Sequence, residues 1–126
     1  MTHTNNHIDY VEFTAPDLGA IKAFYGKVFG WEFQDWGEDY ISFSSAGLEG
    51  GFHRAPAPSS ASSSPSLAAS GALIILYTDD LEATEKKVSA AGGKITAHHE
   101  FPGGRRFHFV DPAGNVLGVW TLAAQD

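Results

Sequence analysis

The pattern of apolar and polar residues divides the chain into two similar stretches on either side of a tract poor in core-forming side chains. Residues 8–14 alternate, with Val11 and Phe13 turned one way and Tyr10, Glu12 and Thr14 the other, the period-two signature of a strand with one buried face. Ala15-Pro16 closes it. Asp17 is a favourable N-cap for a helix that carries Ile21, Phe24, Tyr25 and Val28 at helical spacing, and Gly30 stops that helix. Short strands are expected over 31–36 and 40–45, broken at Gly37-Glu38-Asp39. A further strand is expected over 48–54, where Gly50-Gly51 leaves the register open.

Residues 55–70, rich in Ala, Pro and Ser, read as a flexible linker or surface loop. The pattern then restarts. An apolar strand over 71–78 leads to a helix capped by Asp79 or Asp80, carrying Leu81, Thr84, Val88 and Ala91 and ended by Gly92-Gly93. With Asp79 as the cap, Glu82 would complete a capping box. Strands over 94–100 and 105–110 flank a turn at 101–104. The last of them enters a hairpin in which Pro112 presets φ and Gly114-Asn115 tolerate positive φ, so the chain reverses between Val110 and Val116.

Spacing shows that the halves are copies. Asp17 and Asp80 lie 63 residues apart, as do Gly30 and Gly93, so the two cap-to-stop helices are expected to match in length. The expected fold is α+β, with two βαβββ modules at about 8–54 and 71–122 in a single domain of 126 residues. Their curved sheets would face one another across a trough, with the helices on the outer faces. A homodimer is expected, because open sheets of this kind need an edge or a face covered.

Composition narrows the function classes. The chain is 43% hydrophobic and 18% charged, values of a globular protein with a true core. Its net charge of −7 argues against a nucleic-acid partner, which needs a basic stripe to displace counterions. There is no cysteine, which removes disulfides, thiolate nucleophiles and thiolate metal ligands. No apolar run approaches the ~18 residues of a membrane span and the N-terminal stretch lacks a secretion pattern, so a cytoplasmic protein without membrane contact is expected.

Asp17-Leu18 followed by Phe24-Tyr25-Gly26-Lys27-Val28-Phe29-Gly30-Trp31 in the first half resembles the vicinal-oxygen-chelate superfamily. So do Asp79-Asp80-Leu81, Ala91-Gly92-Gly93 and Asp111-Pro112-Ala113-Gly114-Asn115 in the second. That superfamily includes glyoxalase I, the bleomycin-resistance proteins and the extradiol dioxygenases. The resemblance implies that metal-dependent relatives take one ligand, mostly His or Glu, from the first and last strands of each module. Counting from the matched motifs puts three of those positions at Tyr10, Leu73 and Gly118, with a fourth somewhere in Glu49–His53. Leu73 and Gly118 offer no ligating side chain and Tyr10 is an uncommon ligand, so no metal or other cofactor is expected at these positions.

Two rebuilt metal sites remain as alternatives. His98 and Glu100 share a strand parity and His108 could lie across from them, while His53 stands in the glycine-rich strand; either set would hold a divalent ion. Against this, His98-His99-Glu100 also reads as a solvated strand end. Glu12 is expected to point into the trough beside Tyr10, where a desolvated carboxylate would act as a general base on a carbon acid. It could equally pair with Arg54, Arg105 or Arg106, or reach water. Val116, Gly118 and Trp120 share a face, with Leu73, Ile75 and Tyr77 expected opposite them. Together with Tyr10 and Glu12 they would line an apolar, aromatic cleft for a small-molecule ligand, Gly118 leaving room for it. Two functions follow, sequestration of a small aromatic molecule or a glyoxalase-like or dioxygenase reaction.

Overall fold

A computed structural model of the chain describes residues 3–55 and 72–123, and the expected loop at 55–70 lies, apart from Ala55, outside them. The chain forms two compact units, Met1–Ala57 and Pro58–Asp126. Each contains one βαβββ module with a four-stranded sheet.

In the first unit β1 (Tyr10–Ala15) leads into α1 (Leu18–Phe29), followed by β2 (Phe33–Asp35), β3 (Tyr40–Phe43) and β4 (Glu49–Arg54). The sheet order is β1-β4-β3-β2, with β1 parallel to β4 and the other pairs antiparallel. Helix α1 starts where the sequence places it, because the Asp17 carboxylate accepts a hydrogen bond from the Ala20 N–H at 3.0 Å. It ends at Gly30, whose φ of 72° lets its N–H and that of Trp31 reach the Gly26 and Tyr25 carbonyls. The expected strand at 31–36 is shorter than its apolar pattern suggests. Trp31 belongs to the core instead, stacked on Tyr25 at 4.6 Å and against Phe43 at 4.6 Å. Phe52 completes this aromatic core, its ring 5.0 Å from Phe13 and 5.5 Å from Tyr25.

Gly50-Gly51 does not loosen β4. Gly50 pairs with Val11 and Phe43, Gly51 with Glu12 and Ser42, in unbroken register on both sides. The glycines are needed because a Cβ at Gly50 would lie 2.3 Å from the Val11 carbonyl oxygen, and one at Gly51 would lie 2.3 Å from the Tyr40 hydroxyl.

The second unit repeats the plan with β5 (Ile74–Tyr77), α2 (Leu81–Ala90), β6 (Lys94–Phe101), β7 (Gly104–Val110) and β8 (Val116–Leu122), in sheet order β5-β8-β7-β6. Asp80 is the N-cap, accepting from the Ala83 N–H at 3.1 Å, so the capping box from Asp79 to Glu82 does not form. Glu82 is drawn to Arg105 on β7 instead. The helices also differ in length, 12 residues for α1 and 10 for α2, because α2 is capped at Ala91 and Gly92 takes positive φ there, ahead of Gly93. Its core is Leu81, Val88, Phe107, Phe109, Leu117 and Val119, all buried between helix and sheet.

The hairpin falls where the turn residues place it. The buried Asp111 carboxylate accepts from the N–H groups of Ala113 and Asn115 at 2.8 and 3.0 Å and from the Asn115 side-chain amide at 3.3 Å. Gly114 adopts φ 95° to complete the reversal. None of the described helices is long and apolar enough to cross a membrane.

Candidate functional site

Each sheet has one face covered by its own helix and one turned away from it. In the first unit the helix side takes Val11, Phe13, Phe43 and Phe52. Alternation puts Tyr10, Glu12, Glu49, Gly51, His53, Tyr40 and Ser42 on the other. The hydroxyls of Tyr10 and Tyr40 are hydrogen-bonded across the space left by Gly51. Burial, and then hydrogen bonding to Tyr10 and to Glu12, raise the Tyr40 pKa, so the phenol stays protonated. Trp36 donates its indole N–H to the Ser42 hydroxyl at 2.8 Å and is otherwise largely exposed.

Glu12 therefore stands beside Tyr10, on the side of the sheet that alternation requires. Two of the arginines offered as its partners are engaged elsewhere, Arg54 by Asp39 at 2.7 Å and Arg105 by Glu82. Tyr40 is its neighbour within the first sheet. His53 is exposed on the same face, opposite Thr14 and Tyr40 in register.

In the second unit the face away from α2 carries Ile75 and Tyr77 from β5, Val116, Gly118 and Trp120 from β8, Arg106 and His108 from β7, and Ala97, His99 and Phe101 from β6. Ile75 and Tyr77 stand across from Gly118 and Trp120 on the neighbouring strand. They are side by side, because β5 pairs with β8 in the same sheet, Ile75 beside Gly118 and Tyr77 beside Trp120. Leu73 is half-buried just ahead of β5. Tyr77 and Trp120 meet edge to face at 5.2 Å, Phe101 lies 6.3 Å from Trp120, and Tyr77 is 53% exposed. Tyr77 and Phe101 thus keep exposed ring surface beside the half-buried Trp120, the kind of aromatic patch that suits flat or apolar molecules.

Gly118 also accommodates His108. A Cβ at Gly118 would come 3.2 Å from the His108 Cδ2, and His108 is only 5% exposed, the buried centre of this face. Its pKa is lowered by burial, then by the nearby Arg106 and His99 charges, which leaves the imidazole neutral at pH 7. The Nε2 of His108 and the Nε of Arg106 are both buried without a hydrogen-bond partner. Each such group costs about 1–3 kcal/mol unless something satisfies it.

The rebuilt metal set of His98, Glu100 and His108 is not brought together. The β6–β7 register shifts between Ile95 and Ala97, so His98 pairs with Phe107 on the helix side and bonds to Glu85 at 2.9 Å, while His108 pairs with Ala97 on the other side. Glu100, opposite Arg105, is on the helix side too. His99 takes the place expected of His98, its ring 5.0 Å from that of His108. Among the described residues no group of three or more His, Asp or Glu side chains is placed to hold a metal ion. Arg106 and Tyr40 escaped the sequence reading as site residues, although Arg106 stands two residues before His108 and hence on its face.

The geometry has the plan of two βαβββ modules, and the sequence profile of the Glyoxalase/Bleomycin resistance protein/Dioxygenase superfamily matches residues 7–119. The chain belongs to this superfamily. The fosfomycin resistance protein FosX from Mesorhizobium loti is similar in structure, with a TM-score of 0.72 at 14% identity over 96% of this chain and 95% of that one. Lactoylglutathione lyase from Agrobacterium tumefaciens gives a TM-score of 0.65 at 22% identity, over 94% and 95% of the two chains. A variant of FosX from Listeria monocytogenes, solved with Mn(II) and 1S,2S-dihydroxypropylphosphonic acid, gives 0.76 at 15% identity over 92% and 90%. At these identities the likeness is one of fold. No curated protein matches the sequence.

The Mn(II) of that FosX structure raises the question whether a divalent ion fits the residues present here. At three of the four positions matched to ligands, Leu73 is aliphatic, Gly118 has no side chain and its space goes to His108, and the Tyr10 hydroxyl is bonded to Tyr40, so that only the fourth stretch, with Glu49 and His53 on the face of Tyr10, offers ordinary ligands. This donor set does not fit a divalent ion, which needs several His or carboxylate ligands.

Proposed function

We propose that this member of the glyoxalase superfamily binds and sequesters a small, partly aromatic molecule on the aromatic face of its second sheet, without the metal that serves many of its relatives. The observation that carries this reading is the Tyr77–Trp120–Phe101 cluster, with Tyr77 and Phe101 exposed around the half-buried Trp120 and beside Gly118. Binding asks only for a shaped apolar surface, whereas the Lewis-acid chemistry of the family asks for ligands that Leu73 and Gly118 do not supply. A thermal-shift screen against aromatic antibiotics and hemithioacetals, followed by turnover assays of each hit with and without added Mn(II), Ni(II) or Zn(II), tests it. Saturable binding without turnover supports sequestration. Metal-stimulated isomerisation of a hemithioacetal overturns it.

A second reading rests on a different observation, the contact of Glu12 with the protonated Tyr40. Glu12 would take a proton from a carbon acid while Tyr40, whose pKa burial keeps high, donates a hydrogen bond to the developing oxyanion. Metal-free turnover abolished by Glu12→Gln favours it. A homodimer remains part of the proposal, since each sheet ends in edge strands, β1 and β2 in the first and β5 and β6 in the second. Sedimentation equilibrium decides it, and a monomer at high protein concentration removes the dimer alone.

A further inference from the structure

We propose that Arg106 and His108 form an anion-receiving pair beside the aromatic cluster, so that the ligand is an organic oxyanion, a carboxylate or a phosphonate, carried on a flat apolar body. This rests on the binding function proposed above and names the class of molecule bound.

Three observations on the second sheet converge. The first is the pair of orphaned nitrogens, Arg106 Nε and His108 Nε2, which belong to residues two apart on β7 and so lie on one face. His108 is more than nine-tenths buried, so bulk water does not satisfy its nitrogen. The second is the contrast between neighbours. Arg105, one residue away and therefore on the opposite face, is paired with Glu82 of α2, while among the described residues Arg106 has no carboxylate partner. One arginine is spent on holding helix to sheet and the other is left with its charge unanswered.

The third observation is the composition of the face. The residues that β5, β6, β7 and β8 place around Arg106 and His108 are Ile75, Tyr77, Ala97, His99, Phe101, Gly118 and Trp120, and none is acidic although the chain carries a net charge of −7. The carboxylates of this unit's helix, Glu82 and Glu85, are engaged on the far side by Arg105 and His98. A guanidinium whose Cζ stands 5.9 Å from the Phe101 ring, opposite Trp120 in register, positions an anionic group next to aromatic surface. Protonation of His108 is opposed by burial and by the Arg106 charge, and a bound anion would offset that charge. The ligand's charged end would therefore meet Arg106 and His108, and its flat body would lie on Trp120 and Tyr77.

Isothermal titration of the full chain with cinnamate, phenylphosphonate and the neutral isostere cinnamamide tests the proposal and separates the two oxyanion sources. At least one anion is expected to bind at least tenfold more tightly than the amide. Arg106→Gln is expected to cut the anion's advantage over the amide from tenfold or more to threefold or less, read as the ratio of the two affinities in the variant. Should that variant fail to fold, the wild-type protein still answers, because raising NaCl from 20 to 200 mM must weaken the anion and not the amide. An amide that binds as well as the anions, or an anion preference that survives both Arg106→Gln and added salt, overturns the anion pair and leaves aromatic binding standing. If none of the three compounds binds at millimolar concentration, the anion pair and the binding surface both fall.

Discussion

Replacing Gly50 by Ala tests whether the glycine pair in β4 is there for packing. The new methyl would sit 2.3 Å from the Val11 carbonyl oxygen, 2.6 Å from Phe43 Cζ and 2.9 Å from Val11 Cγ1. One of these neighbours is the backbone of the parallel strand β1, so relief requires β1 and β4 to separate, and the Phe43 ring has the buried Trp31 behind it. Overpacking costs about 1–3 kcal/mol, and a contact with backbone belongs at the upper end. The gain from a stiffer unfolded chain, roughly 0.4–1 kcal/mol, offsets part of that. The net destabilisation is expected to be about 2 kcal/mol, which lowers the urea midpoint by roughly 1 M for a urea m-value near ~2 kcal/mol/M. Gly118→Ala is the control. Its methyl meets a ring carbon of His108 at 3.2 Å and the Phe107 carbonyl oxygen at 3.4 Å, a milder crowding, so its expected loss is about 1 kcal/mol or less. Urea unfolding followed by tryptophan fluorescence measures both, since Trp31 is buried in the first unit and Trp120 half-buried in the second. A wild-type midpoint for Gly50→Ala, or a larger loss for Gly118→Ala, refutes the packing argument.

Three further outcomes are expected. Asp111→Ala should destabilise by about 3 kcal/mol by stranding the N–H groups of Ala113 and Asn115, whereas Asp111→Asn, which keeps an acceptor oxygen, should cost less than half as much in the same urea assay. Asp80→Ala should cost about 1 kcal/mol in urea unfolding while Asp79→Ala costs nothing measurable, and equal losses would contradict the cap assignment. For His108 the folded pKa lies below the unfolded 6.5, owing to burial and to Arg106 on its own strand and His99 on β6. The unfolded chain then takes up the proton first, so stability falls as pH drops through 6.5 and levels off below the folded pKa. Urea midpoints at pH 7.5 and 5.5 should show a smaller acid loss in His108→Gln than in the wild type; the lowered Glu82 pKa acts below 4.5, outside this window.

Much of the fold is legible in local patterns. The Asp17 cap, the Gly30 stop, the βαβββ order of both modules and the reversal between Val110 and Val116 rest on short-range sterics and on hydrogen bonds that span a few residues, and such rules are written in adjacent side chains. Alternation alone puts Glu12 beside Tyr10 and Arg106 beside His108 on their faces. What the tertiary structure decided is which faces meet. The choice of Asp80 over Asp79 as cap accompanies a Glu82 that reaches Arg105 on β7, 23 residues on. The parity of β6 changes at the bulge between Ile95 and Ala97. That one-residue slip sends His98 to Glu85 on the helix side and brings His99 to His108. No nearest-neighbour pattern announces such a slip, because it exists only in the pairing of β6 with β7, where Ile95 meets Phe109 and Ala97 meets His108. The orphaned nitrogens of Arg106 and His108 are likewise a tertiary fact, since a donor is left unanswered only once every neighbouring strand has been laid beside it.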